Sequence, residues 1–214
     1  KAALSVGDII KGSAIGGAIG SMVANMAGAI SGAISSELDS AFKRFDALNN
    51  YSKVMSNLRV GTDDSSTSIA ILDQKLRGLP TSLSDAALGV QRFTAANGNI
   101  KASTDMFLAF NNAILAGGAP TETQVTAMEQ LIQAYSKGKA DAQEWRALLI
   151  AMPAQMQQIA EAMGYTSTAI GGDFQTALND GTISMNDFAM TAIRLNRQGA
   201  GGFASFAEQA KGAT

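Results

Sequence analysis

The large apolar residues near the start of the chain fall at Ile15, Ile19, Met22, Val23, Met26, Ile30 and Ile34. Steps of three and four place them on one stripe of a helix. The remaining positions there are Gly, Ala, Ser and Asn, and no charge occurs between Gly12 and Ser36. Gly12, Gly16 and Gly20 make two successive GxxxG steps, and Gly28 with Gly32 makes a third. Near-helical spacing continues through Leu38, Phe42, Phe45, Leu48, Val54, Met55 and Leu58, then breaks at Val60–Asp64. Gly61 is expected to end this helix, with Thr62 or Asp63 capping the next.

A series of shorter helices is predicted beyond the break. Ile69, Leu72 and Leu76 share one side of the first. Leu83, Ala87, Leu88 and Phe93 define a second, stopped at Asn97-Gly98-Asn99. Met106, Phe107, Phe110 and Ile114 define a third; Val125, Met128, Leu131, Ile132 and Tyr135 a fourth. A stripe from Trp145 to Met163 is interrupted at Pro153. Two further helices are expected, over 174–179 and 184–196. Period-2 alternation is not sustained anywhere, so no strands are predicted. The expected fold is all-α: a long Gly/Ala-rich N-terminal helix over 1–60, a compact domain of short helices over 61–198, and a Gly-rich linker opening a further helix over 199–214.

Composition narrows the chemistry. Only 16% of the 214 residues are charged, against about 25% in typical domains. Such a weakly charged, small-residue surface suits a protein enclosed by partners. The net charge is −2 without a long basic run, so nucleic acid would be contacted only indirectly. Cysteine and histidine are absent. This removes disulfides, thiol nucleophiles, and the commonest general base and transition-metal ligand. No cofactor or metal site is expected. The chain starts at Lys1 in mid-pattern and reads as a piece of a longer polypeptide.

The charge-free segment admits more than one reading. Its length suits a membrane span whose small-residue face makes helix contacts. It equally suits an enclosed oligomeric helix, packed through Gly12, Gly16, Gly20, Gly28 and Gly32 and the ridge of Ile15, Ile19, Met22, Met26 and Ile30. Glycine costs roughly 1 kcal/mol per residue in a water-exposed helix, so either form needs neighbours. A signal peptide fits poorly, because no basic start or clear cleavage region frames the segment.

Two later stretches echo each other at an offset of 43 residues: Ser136–Trp145 and Asn179–Phe188. In each, a helix ends at a glycine, Gly138 or Gly181, expected in the left-handed conformation. A capping residue follows, Asp141 or Ser184, with a carboxylate three positions on, Glu144 or Asp187. This is the spacing of a capping box. An aromatic residue, Trp145 or Phe188, comes next and is expected to enter the core.

The stretch from about Leu79 to Leu195 also resembles the N-terminal domain of phage and prophage tail tape measure proteins. The resemblance rests on Ser136-Lys137-Gly138-Lys139-Ala140 with Trp145, on Ile150–Met156, on Ile159–Gly164, and on Leu178–Ile183. It implies a structural virion component in the tail lumen or tip, one that helps set tail length and assists genome delivery. It implies partners in tail tube and tail tip proteins, a homo-oligomer guessed to be a trimer, and the host membrane or cell envelope during ejection. The alternative function is a membrane-active helical module forming a pore through its Gly-rich segment. A third possibility, a peptidoglycan-cleaving enzyme, would have to rely on carboxylates such as Glu144 and Glu161. No flanking catalytic motif accompanies them, and helix capping and a solvated face account for the two residues.

Overall fold

The computed structural model describes residues 50–213. The Gly12–Gly32 steps and the Ile15–Ile30 ridge, and with them most of the predicted long N-terminal helix, lie outside these residues. Residues 50–57 are helical. Nine further helices follow among the described residues: α1 (Thr62–Leu76), α2 (Leu83–Asn97), α3 (Ile100–Ala116), α4 (Thr121–Lys137), α5 (Ala142–Ala151), α6 (Pro153–Ala162), α7 (Asp173–Asp180), α8 (Met185–Gln198) and α9 (Phe206–Ala213). The described residues contain no strand, only an isolated bridge between Ala200 and Phe203. The fold is all-α.

α3 is the axis of the packing. Its predicted stripe of Met106, Phe107, Phe110 and Ile114 is buried, but so are Leu108, Ala109, Asn111, Asn112 and Ala113 between them. A helix buried on nearly every side must be surrounded by others, and α1, α2, α4, α8 and α9 all pack on it. Some of its interior polar groups find partners across these interfaces. Tyr51 Oη lies 3.1 Å from Ser68 Oγ, which lies 2.7 Å from Thr104 Oγ1. Asn112 Nδ2 donates to Asn196 Oδ1 at 2.9 Å.

Helix boundaries follow local rules, with one departure from expectation. The helix through residues 50–57 ends at Arg59, which takes the left-handed φ of 62°, and not at Gly61, whose φ is −64°. Arg59 N–H donates to Ser56 O and Val60 N–H to Met55 O, both at 2.9 Å, the paired bonds of a Schellman end. Gly61 instead stands as the extended residue before α1, which begins at Thr62. Between α5 and α6, Met152 leaves the helical region at φ −145°, ψ 58°, as expected of a residue before proline. The C-terminal end of α3 abuts this step so closely that a Cβ on Gly117 would sit 2.0 Å from Ala151 O. Only glycine fits there.

The further helix expected in the 199–214 stretch is present as α9, but the glycines before it form a turn and not a linker. Gly199, Gly201 and Gly202 have positive φ and turn the chain back, so that α9 packs on α3 with Phe206 and Ala210 buried. A capping box holds its start: Glu208 N–H donates to Ser205 Oγ at 3.3 Å, and Ser205 N–H to Glu208 Oε2 at 3.0 Å. Tyr51 and Met55 enter the same core from the other end.

Candidate functional site: the paired helix corners

The α4–α5 and α7–α8 connections carry the sequence echo. Gly138 and Gly181 have φ of 80° and 82°, the left-handed turn predicted for both. Beyond them the corners differ. After Gly138, Lys139 N–H donates to Ala134 O at 3.2 Å, completing a Schellman end. After Gly181, Asp180 Oδ1 takes the Thr182 N–H at 2.9 Å, and Ile183 N–H reaches back to Ala177 O at 2.8 Å.

The caps differ more. Ser184 Oγ accepts from Asp187 N–H at 3.0 Å and donates to Asp187 Oδ2 at 2.7 Å, so this helix start is closed by the predicted pair. The Asp141–Glu144 box does not form: Asp141 stands at the N-cap position without a side-chain cap bond. Its carboxylate is held from outside by Lys137 Nζ and Lys139 Nζ, each at 3.0 Å, and by Asn179 Nδ2 at 3.2 Å. Glu144 is turned inward, buried, and paired with Lys137. Lysines on either side of Gly138 thus divert both carboxylates from capping. Hydrogen bonds from Lys139, then Lys137, hold the Asp141 carboxyl below its ordinary range. The bond to Glu144, followed by that to Asp141, raises the Lys137 ammonium pKa.

The two corners touch. Ala140 N–H donates to Leu178 O at 3.3 Å, and Asn179 Nδ2 approaches Ala140 O at 3.4 Å. Trp145 and Phe188 are fully buried, as predicted, and converge on Phe174, with ring centroids 5.5 and 6.3 Å from it. Phe188 also stacks on Phe110 of α3 at 5.6 Å. Asn179 and Phe174, which join the corners, are not among the site residues the sequence pattern singles out. Asn179 opens the second echoed stretch, but its partners Ala140 and Asp141, like those of Phe174, lie far along the chain and no local spacing marks the contacts.

Glu144 Oε2 and Trp145 Nε1 are buried without a hydrogen-bond partner among the described residues; the other polar groups described at the corners are engaged by the domain itself. Glu144 lines neither the groove beside α4 and α5, bounded by Glu122, Thr126, Arg146 and Ile150, nor the groove among α2, α3 and α4. Glu161, on α6, is exposed and accepts from Gln157. Among the described residues no group of three or more carboxylates is placed to hold a metal. None of the described helices is long and apolar enough to cross a membrane.

Turn and cap chemistry directed at joining helices defines a structural module. A family model for tape measure proteins matches residues 39–214. The chain belongs to the tape measure protein family, and its role is that of a structural component of the phage tail. No curated protein and no solved structure matches it.

Proposed function

We propose that this chain is the portion of a tape measure protein in which a Gly/Ala-rich segment brings copies together and a helical domain contacts tail tube and tail tip proteins. In this reading it takes part in setting tail length during assembly and in delivering the genome on infection. The observation that carries it is the family match over 39–214, on a domain whose corner chemistry serves its own packing. The glycine-rich steps before it require neighbours to be stable, and in a tail lumen other copies are the nearest ones. A helical segment can act as a ruler because each residue adds a fixed rise.

The test is in-frame shortening of residues 6–34 in the intact phage, with tails measured by electron microscopy. Tails should shorten by about 1.5 Å for each helical residue removed. Assembled tails of unchanged length would remove the ruler reading. Sedimentation of the chain should show an oligomer, with a trimer as the first expectation; a monomer at all concentrations would remove self-association.

The uncharged run from Gly12 to Ser36 favours a second activity, insertion into the host envelope during ejection. Vesicle leakage caused by the chain and lost on Gly16→Leu or Gly20→Leu would support it. Tight oligomers that ignore vesicles would exclude it.

A further inference from the structure

Aliphatic side chains stay on the surface beside both grooves that flank α4. Leu88 of α2 and Val125 of α4, which the apolar pattern assigns to the core, are 44% and 55% exposed and line the groove among α2, α3 and α4. Two opposite charges of that groove, Arg92 and Glu129, pair with each other at 3.7 Å. The groove between α4 and α5, of about 610 Å³, is different. Ile150 of α5 stands 61% exposed in it, among the short side chains of Thr123, Thr126 and Ala147. Glu122 of α4 and Arg146 of α5 also line it, both exposed, and neither side chain has an ion-pair or hydrogen-bond partner among the described residues.

This face is complementary to itself. A projecting aliphatic side chain shares it with a hollow of short ones, and an unpaired anion shares it with an unpaired cation. Two copies related by a twofold axis present the same patch to each other, so that one residue meets a second and the second meets the first. We propose that a second copy of this chain covers the groove, with Glu122 of each copy paired to Arg146 of the other and Ile150 of each entering the other's hollow. The charges select this occupant. An uncharged one would desolvate both ions without a counter-ion, which is costly. An occupant of one sign would leave one of the two unmatched. A second copy supplies a counter-ion for each. The inference rests on residues of α4 and α5 alone, and stands independently of the Gly/Ala-rich segment and of the tail role.

The absence of cysteine in the chain makes the test direct. Glu122→Cys chains are mixed with Arg146→Cys chains, both of the full 214 residues, and treated with a short bis-maleimide. Such a reagent is needed because ion-paired side chains hold their Cα atoms farther apart than a disulfide allows. The mixture should form covalent dimers roughly tenfold faster than either chain alone, and than Glu122→Cys mixed with Met190→Cys, because facing thiols meet at a high effective concentration. Met190 is also exposed, but it lies on α8 and does not line the groove. One ion pair survives in the first mixture, Arg146 of one chain against Glu122 of the other. Adding Arg146→Glu to the Glu122→Cys chain should slow cross-linking roughly tenfold through like-charge repulsion. Adding Glu122→Arg to the Arg146→Cys chain should then restore the rate. Copies joined only through other segments would not respond to these reversals. Equal rates with the Met190→Cys control would overturn the proposal, and so would a rate that does not fall on the first reversal or does not recover on the second.

Discussion

At the Gly138 corner the carboxylate three residues beyond the cap is drawn into the protein by Lys137, whereas at the Gly181 corner Asp187 turns back onto Ser184. The spacing of glycine, cap, carboxylate and aromatic is common to both, and both place their aromatic ring against Phe174. What separates them is the neighbourhood. Lysines flank Gly138, while Asp180 and Thr182 flank Gly181. A glutamate also has one more methylene than an aspartate with which to reach past its own helix start. The same left-handed glycine can therefore be followed by a local side-chain cap or by a longer-range ion pair, depending on the charges beside it.

The largest expected effect tests what the corners share. Trp145→Ala and Phe188→Ala should each destabilise by about 3–5 kcal/mol in urea unfolding followed by circular dichroism. Because both rings rest on Phe174, the double variant should fall short of the sum by about 0.5–3 kcal/mol. Strict additivity would mean that the corners are energetically separate despite their contact.

Their difference is tested next. Glu144→Ala removes a buried charged acceptor and should cost about 1.5–3 kcal/mol. Asp187→Ala removes an exposed one and should cost about 0.5 kcal/mol or less. Equal losses would erase the distinction between an inward pair and a surface cap. A smaller pair of effects checks the common backbone. A Cβ added at Gly138 or Gly181 would have no neighbouring atom within 4 Å, so alanine at either meets no clash. Each substitution should cost only the left-handed strain, about 1–2 kcal/mol. A much larger loss at one glycine would show that the turns are not equivalent.

The smallest effect is electrostatic. Asp141 is held below its ordinary value of 3.8 chiefly by Lys139 and Lys137. Asp180 is held below the same value by the Thr182 N–H and hydroxyl. Each carboxylate is bound more favourably as the anion in the folded state. The stability each adds is therefore present above 3.8 and is lost as pH falls through its lowered value. In a carboxyl NMR titration, salt at about 1 M should move Asp141 upward while leaving Asp180 nearly in place, because salt screens ion pairs more than backbone hydrogen bonds. Equal salt responses would contradict the assignment of Asp141 to the lysines.

Much of this molecule is readable along the chain. Ile69, Leu72 and Leu76 are buried on the predicted side of α1, and Ser184 caps its helix through its own side chain. These features depend on residues three or four apart, which a helix brings together by its own geometry. Leu88 and Val125 escape such a reading because an apolar stripe indicates a face without saying whether a neighbouring helix reaches it. The return of α9 is hidden because consecutive glycines suit a spacer and a tight reversal equally well. Phe206 has a place in the core, and the reversal follows from it.

The order of the described helices, the turn glycines Gly138 and Gly181, the aromatic anchors Trp145 and Phe188, and membership of a non-thiol, histidine-free helical class were determined by sequence alone, because all rest on local spacing and composition. The tertiary structure decided that Glu144 faces Lys137 and not its own helix start, that the two echoing corners meet through Asn179 and Phe174, and that one groove keeps two apolar side chains on the surface. Those outcomes are competitions between partners distant along the chain, and only packing determines which partner lies within reach.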